Sequence, residues 1–296
     1  MTPYKGYFNL VLIFTLLFMF GCSKNSLNIS GGKCPCNENS IAGAIEDQSK
    51  WKELNQQVIG FYSQRQFEPA INVGKESLKF AEKTFGKNHL YVATSLNNLA
   101  EIYRLQGKHN DAESLYKRAL KIREKKLGKD HIDVALTYNN LASVYFQIKK
   151  YNLAEVNYKK ALTIVENDPD NENVNIISVL SNLGELYKIQ TKYKEAEPYF
   201  QRLLSIQEKK KGKRDPMYAK ALNDLAAVYF LGGKPKDSQP LFEEALAILE
   251  ESLGKEDPSL AIVLENIAEV CKKTGNIHKA KAFAERASNI RHGNQV

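Results

Sequence analysis

From Trp51 onward, apolar residues recur at the three-and-four spacing of a single helix face, and they do so twice in every 42 residues. Between 93 and 134, Leu96, Leu99, Ala100 and Tyr103 make one stripe, and Ala112, Leu115, Tyr116, Ala119 and Leu120 make a second. The polar stretch "QGKHN" separates them as a turn, and its glycine returns at Gly233 and Gly275. After the second stripe, "LGKDH" sets a glycine where a helix ends, as do "FGKNH" and "LGKED". Each block therefore predicts a helical hairpin, and the chain as a whole is expected to be all-α.

The phrase "SLNNLAEIY" (95–103) returns as "TYNNLASVY", "VLSNLGELY", "ALNDLAAVY" and "VLENIAEVC", with a worn copy, "ELNQQVIGF", before it. Six blocks follow: 51–92, 93–134, 135–176, 177–218, 219–260 and 261–291, with a tail at 292–296. One hairpin cannot bury its own apolar face, so the hairpins must stack. Numbered within a block, the small residues at columns eight and twenty let paired helices approach closely. The aromatic at column eleven fills the gap and is expected to be buried, and column twenty-seven keeps the next hairpin close. The ends depart from the pattern, with Gln57, Gly74 and Ser77 at core columns of the first block, and Cys271 and Ala284 replacing aromatics in the last. Cys271 reads as a core filler.

These columns carry a family resemblance. Ala100, Tyr103, Ala112 and Ala119, then Ala142, Tyr145, Ala154 and Ala161, then Gly184, Tyr187, Ala196 and Leu203 resemble the signature of tetratricopeptide repeats. The 42-residue length, the "LNNLA" phrase and a second helix of the form AExxYKRALxIxExxLGxxH are similar to the kinesin-light-chain variety, over 51–291. The resemblance implies an α-solenoid of six helix-turn-helix repeats wound as a right-handed superhelix. It also implies that the first helix of each hairpin lines the concave side through columns 2, 5, 6, 9, 12 and 13. The coiled-coil segment of that family has no counterpart in this sequence, so motor association is not implied.

On that side the resemblance points to a peptide-binding groove. Columns five and six hold Asn97, Asn98, Asn139, Asn140, Asn182, Asn223, Asp224 and Asn266. A carboxamide both donates and accepts, so such a ladder suits the backbone of an extended peptide. The alternative is that these asparagines bond between neighbouring helices. Column twelve reads Tyr62, Arg104, Phe146, Lys188, Phe230 and Lys272. In even repeats the cation follows Glu101, Glu185 or Glu269 by three residues, a pair that satisfies itself. In odd repeats an aromatic turned into a groove implies a ligand. Asn140 and Phe146 are expected to point away from the core.

Composition narrows the function. The chain is 43% hydrophobic and 26% charged, with a formal charge of +8. The cations gather in "REKKLGK" and "EKKKGKRD", at second-helix ends where they complement the helix dipole. The concave columns are close to neutral, which disfavours nucleic acid. His89 and His131 share one position in successive turns and read as turn residues; His109, His278 and His292 are scattered. There is no phosphate-binding glycine loop, nucleophile elbow or HExxH. No enzyme activity, cofactor, metal or small-molecule substrate is expected.

Residues 1–22 are of another kind. Lys5 precedes an apolar run from Tyr7 to Phe20 that stops at Gly21-Cys22, too short for a comfortable membrane span. The layout resembles a bacterial lipoprotein signal, which implies lipidation at Cys22, with an uncleaved anchor as the alternative. By the same resemblance Ser23 favours the outer over the inner membrane; a periplasmic or secreted form is the other location. Residues 23–50 begin rich in Ser, Asn and Gly and read as a flexible tether. Within it Cys34 and Cys36 form a disulfide or are incidental thiols. The expected function is a membrane-tethered scaffold that holds an extended segment of a partner protein in its groove. The alternatives are a structural subunit of an envelope assembly complex docked by its convex face or edges, and a cytoplasmic regulatory scaffold if the signal is unused.

Overall fold

Every apolar stripe from Trp51 onward is a helix in the computed structural model, which describes residues 38–167 and 174–293. The helices are α1 (Glu38–Ser63), α2 (Phe67–Phe85), α3 (Leu90–Leu105), α4 (His109–Leu127), α5 (Ile132–Gln147) and α6 (Tyr151–Glu166). They continue as α7 (Val174–Ile189), α8 (Tyr193–Lys211), α9 (Pro216–Leu231), α10 (Pro235–Leu253), α11 (Leu260–Lys273) and α12 (Ile277–Gly293), with no strand among the described residues.

The chain divides into two units, residues 1–53 and 54–296. The described part of the first is the leading stretch of α1. The segment read as a tether over 23–50 is therefore helical from Glu38 on. Ile41, Ala42, Ala44, Glu46 and Gln48 are adequate helix formers, and extending a helix costs far less than nucleating one. The signal at 1–22, Cys22, Cys34 and Cys36 lie outside the described residues. His292 and Gly293, assigned to the tail, still belong to α12.

In the second unit the first helices start ahead of the block boundaries because the caps lie there. His89, His131 and Asp215 share one column, and each accepts the backbone N–H two residues on, at 3.1, 3.0 and 2.8 Å. The two histidines are turn residues, as expected, and they act through Nδ1. Burial, then the nearby Lys126 charge, holds the His89 pKa below its usual value, which favours the neutral ring an acceptor needs. The hairpin turns all need one residue in the left-handed region. Gly107 supplies it at φ 75°, and Thr191, at the same column, adopts φ 59° despite its branched side chain.

The core follows the columns. Ala100, Ala142, Ala112, Ala154 and Ala196 are fully buried in one cluster with Tyr116, Tyr158 and Phe200 of column twenty-four, and Phe242 of that column is buried in the C-terminal cluster. At column eleven Tyr145 and Tyr187 are buried, while Tyr103 and Tyr229 are half-buried. Their tyrosine identity has a reason: the hydroxyls of Tyr145 and Tyr187 donate to Glu113 (3.0 Å) and Glu155 (2.7 Å) on the preceding repeat. Those carboxylates also hold Lys117 and Lys159, at 2.6 and 2.7 Å. Cys271 is buried, and burial pushes its thiol pKa up, as suits a core filler. No described helix is long and apolar enough to cross a membrane.

Column eight tightens at Gly184, where a Cβ would come within 2.6 Å of the Phe200 ring. Gly184→Ala should therefore destabilise the protein by about 1–3 kcal/mol through overpacking, more than the roughly 1 kcal/mol that alanine gains in helix propensity. Urea unfolding measures the loss, and Phe200→Leu in the same background should recover part of it.

Candidate functional site

The first helices of successive repeats touch one another, α3 with α5, α5 with α7 and α9 with α11, so this set lines the inner side of the stack. Along it runs a ladder of carboxamides. The Nδ2 of Asn98, Asn140, Asn182 and Asn266 donates to the Oδ1 of Asn55, Asn97, Asn139 and Asn223, at 2.7, 3.3, 2.9 and 2.9 Å. Each bond joins column six of one repeat to column five of the repeat before. The asparagines thus bond between neighbouring helices. Asn97 and Asn139 are buried by this, whereas Asn98, Asn140 and Asn182 are half-buried. A column-six carboxamide has two N–H groups and an oxygen, so the cross-repeat bond occupies one donor and fixes the direction of the rest.

The ladder skips one step. Between the fourth and fifth repeats the paired columns hold Ser181 and Asp224, and Asp224 Oδ2 is instead 3.2 Å from Lys220, one turn earlier on α9.

Columns nine and twelve are set largely from within. Arg104, only 4% exposed, grips Glu101 with two nitrogens at 2.8 and 2.6 Å. The same carboxylate accepts the hydroxyls of Tyr116 (2.8 Å) and Tyr62 (3.4 Å). Burial, then the Glu101 charge, pushes the Tyr62 pKa up to about 12 and that of Tyr116 well above its usual value. In the third repeat, the hydroxyls of Ser143 and Tyr158 lie 3.0 Å apart. Phe200 and Phe242 have no hydroxyl to satisfy; there Glu185 turns to Lys188 at 2.5 Å, and Ala227 suffices. Column nine thus meets a column-twenty-four hydroxyl in the second and third repeats only, and Glu185 and Glu269, which face none, pair with lysines on their own helices.

Two expectations need correcting. Arg104 forms the self-satisfying pair with Glu101 that the spacing implies, but the pair is buried with bidentate geometry, so Arg104 offers no charge to a groove. Phe146 does not point away from the core: it is half-buried on the central core, its ring 6.0 Å from that of Tyr151, the first residue of the next helix. Asn140, tied to Asn97, is likewise part of the packing. Phe230 rests in the same way on the C-terminal core. Lys272 is exposed, 3.9 Å from Glu269. At column thirteen, Leu105, Ile189 and Leu231, not singled out from the sequence, are 37, 50 and 48% exposed at the ends of α3, α7 and α9. Column thirteen belongs to the concave set, and large aliphatic side chains there were the available signal. Among the described residues no group of His, Cys, Asp and Glu could hold a metal.

The ladder is testable as a stabilising element. In a double-mutant cycle read by urea unfolding, Asn139→Ala and Asn182→Ala should couple by about 0.5–1 kcal/mol. Ser181→Ala and Asp224→Ala should show no coupling.

Against known proteins, the tetratricopeptide repeat model matches five overlapping windows, 60–125, 91–167, 133–209, 175–251 and 217–291. No curated protein matches the chain. Among solved structures it is similar to BtubC (BKLC) from P. vanneervenii, with 25% identity and TM-score 0.66 over 82% of this chain and 93% of that one. It is also similar to the nearly identical TPR-like repeats of a Podosopora anserina protein assigned as a kinesin light chain, with 19% identity and TM-score 0.59 over 69% and 97%. A third neighbour is Pseudomonas aeruginosa pilF, with 16% identity and TM-score 0.57 over 80% and 90%. Family model, repeat length and solenoid architecture agree: the chain belongs to the tetratricopeptide repeat family.

Proposed function

We propose that this protein is a membrane-tethered scaffold whose inner face holds an extended segment of a partner protein. The observation that carries the reading is the exposed aliphatic row Leu105, Ile189 and Leu231 beside carboxamides that retain hydrogen-bonding capacity. Exposed side chains of this size on an inner face suit burial against a ligand. Extended peptides need donors and acceptors for their backbone, and the column-six asparagines have both left over. Catalysis, nucleic acid and small-molecule substrates have no part in this reading.

What supports the tether is Gly21-Cys22 at the end of a short apolar run. Mass spectrometry of the mature protein should find acylated Cys22 and no residues 1–21. An intact Met1 on membrane-bound protein would overturn the tether.

A second reading, docking through the outer face, is favoured by Leu153 and Val156, 45 and 52% exposed one turn apart on α6. One experiment separates the two. A partner recovered by cross-linking in cells is titrated against Leu231→Ser, Ile189→Ser and Val156→Ser. On the groove reading the first two weaken binding roughly tenfold or more, as loss of a central anchor does, and Val156→Ser leaves it unchanged. The reverse pattern would replace the groove with the outer face.

A further inference from the structure

The skipped step is the one step among the described residues at which no bond closes the carboxamide ladder. At every other step both columns that could be compared carry carboxamides, and each step is closed by a bond of 2.7–3.3 Å. Between the fourth and fifth repeats both partners change together: the accepting asparagine becomes Ser181 and the donating one becomes Asp224. An aspartate at column six cannot donate, so it cannot close the ladder. It keeps its charge, and its partner is Lys220, an exposed side chain on the same helix at 3.2 Å. Exposed pairs of this kind are weak, because solvent screens them and the lysine stem loses freedom in holding them.

The surroundings of Asp224 are apolar in one direction. Leu231 stands seven residues on, two turns along the same face of α9, about 10 Å away. It is exposed, as is Ile189 at the matching place on α7, and Phe230 adjoins it. An extended chain covers about 10 Å in three residues. A carboxylate and an aliphatic ledge are thus set one peptide tripeptide apart.

Resting on the groove reading above, we infer that Asp224 selects a basic residue in the bound segment, with an apolar residue three positions from it seated against Ile189 and Leu231. Arginine suits the place best: its planar guanidinium can take both carboxylate oxygens, which the Lys220 ammonium does not. On binding, Lys220 swings out to solvent and its charge is screened.

The test uses phage-displayed random dodecapeptides selected on the full chain, and on Ser181→Asn/Asp224→Asn, which writes the ladder back in. The expected result is enrichment of arginine or lysine three positions from an aliphatic residue on the wild type only. Synthetic copies of the enriched peptides should bind the double variant roughly tenfold more weakly, although that variant melts no lower than wild type. Asp224→Asn alone removes the charge at constant shape and gives the same comparison if the double variant folds poorly. Peptides that bind wild type and both variants equally, or that depend on Leu231 but show no basic preference, overturn the inference and leave the groove standing. Failure to enrich any peptide on the wild type overturns both.

Discussion

The structure depends on how closely two helices of a hairpin can approach. At column eight a side chain no larger than a methyl group faces an aromatic ring at column twenty-four, and in the fourth repeat even a methyl group is too large. That contact holds α7 and α8 at a fixed separation, and its equivalents hold α3 to α4 and α5 to α6. The positions of the first helices then follow. Their carboxamides fall within hydrogen-bonding distance across the repeat boundary because the hairpins below them are stacked at one spacing. The ladder is a consequence of the packing before it is anything else.

The same contact decides the chemistry of the inner face. A tyrosine at column twenty-four brings a hydroxyl into a place from which water is excluded, and a buried hydroxyl without a partner is costly. Column nine meets that need with Glu101 under Tyr116 and with Ser143 under Tyr158. Glu101 in turn would be an isolated buried charge, and Arg104 resolves this by binding both its oxygens. One ring hydroxyl thus accounts for three other residues, Glu101, Arg104 and Tyr62. In repeats with phenylalanine the chain of requirements stops, and the inner-face residues above are released for other use.

The hairpins, their turns and the small columns were legible because periodicity and glycine placement are local properties, read directly from Ala100, Tyr103 or Gly128. The candidate groove residues were legible only as columns. Asn98, Asn140 and Asn182 were identified correctly as one row, yet a column does not say whether its members face a ligand or each other. That depends on an offset of 43 residues, which links column six to column five and is invisible in a period of 42. Phe146 and Arg104 were placed in the groove for the same reason. Aromatic and cationic identity suggested exposure, while Phe146 packs by Tyr151 of the next helix and Arg104 is bound to a Glu101 that also accepts Tyr116. Leu105, Ile189 and Leu231 escaped notice because aliphatic residues near helix ends look like core in any single repeat.

Repetition sharpens the meaning of exceptions. In a chain where each repeat faces the same packing problem, a residue that departs from its column either marks an end of the array or has been freed from the common requirement. Gln57 and Cys271 are of the first kind, lying in the first and last repeats. Ser181 and Asp224 are of the second: they lie inside the array and depart together. Packing alone does not ask for an aspartate there, since asparagine closes the other steps at the same spacing. A carboxylate kept on the inner face of an otherwise neutral ladder forgoes one cross-repeat bond, and the local fold remains whole without it. That combination, a small structural loss beside exposed aliphatic side chains, is the ground on which a recognition role for Asp224 is proposed.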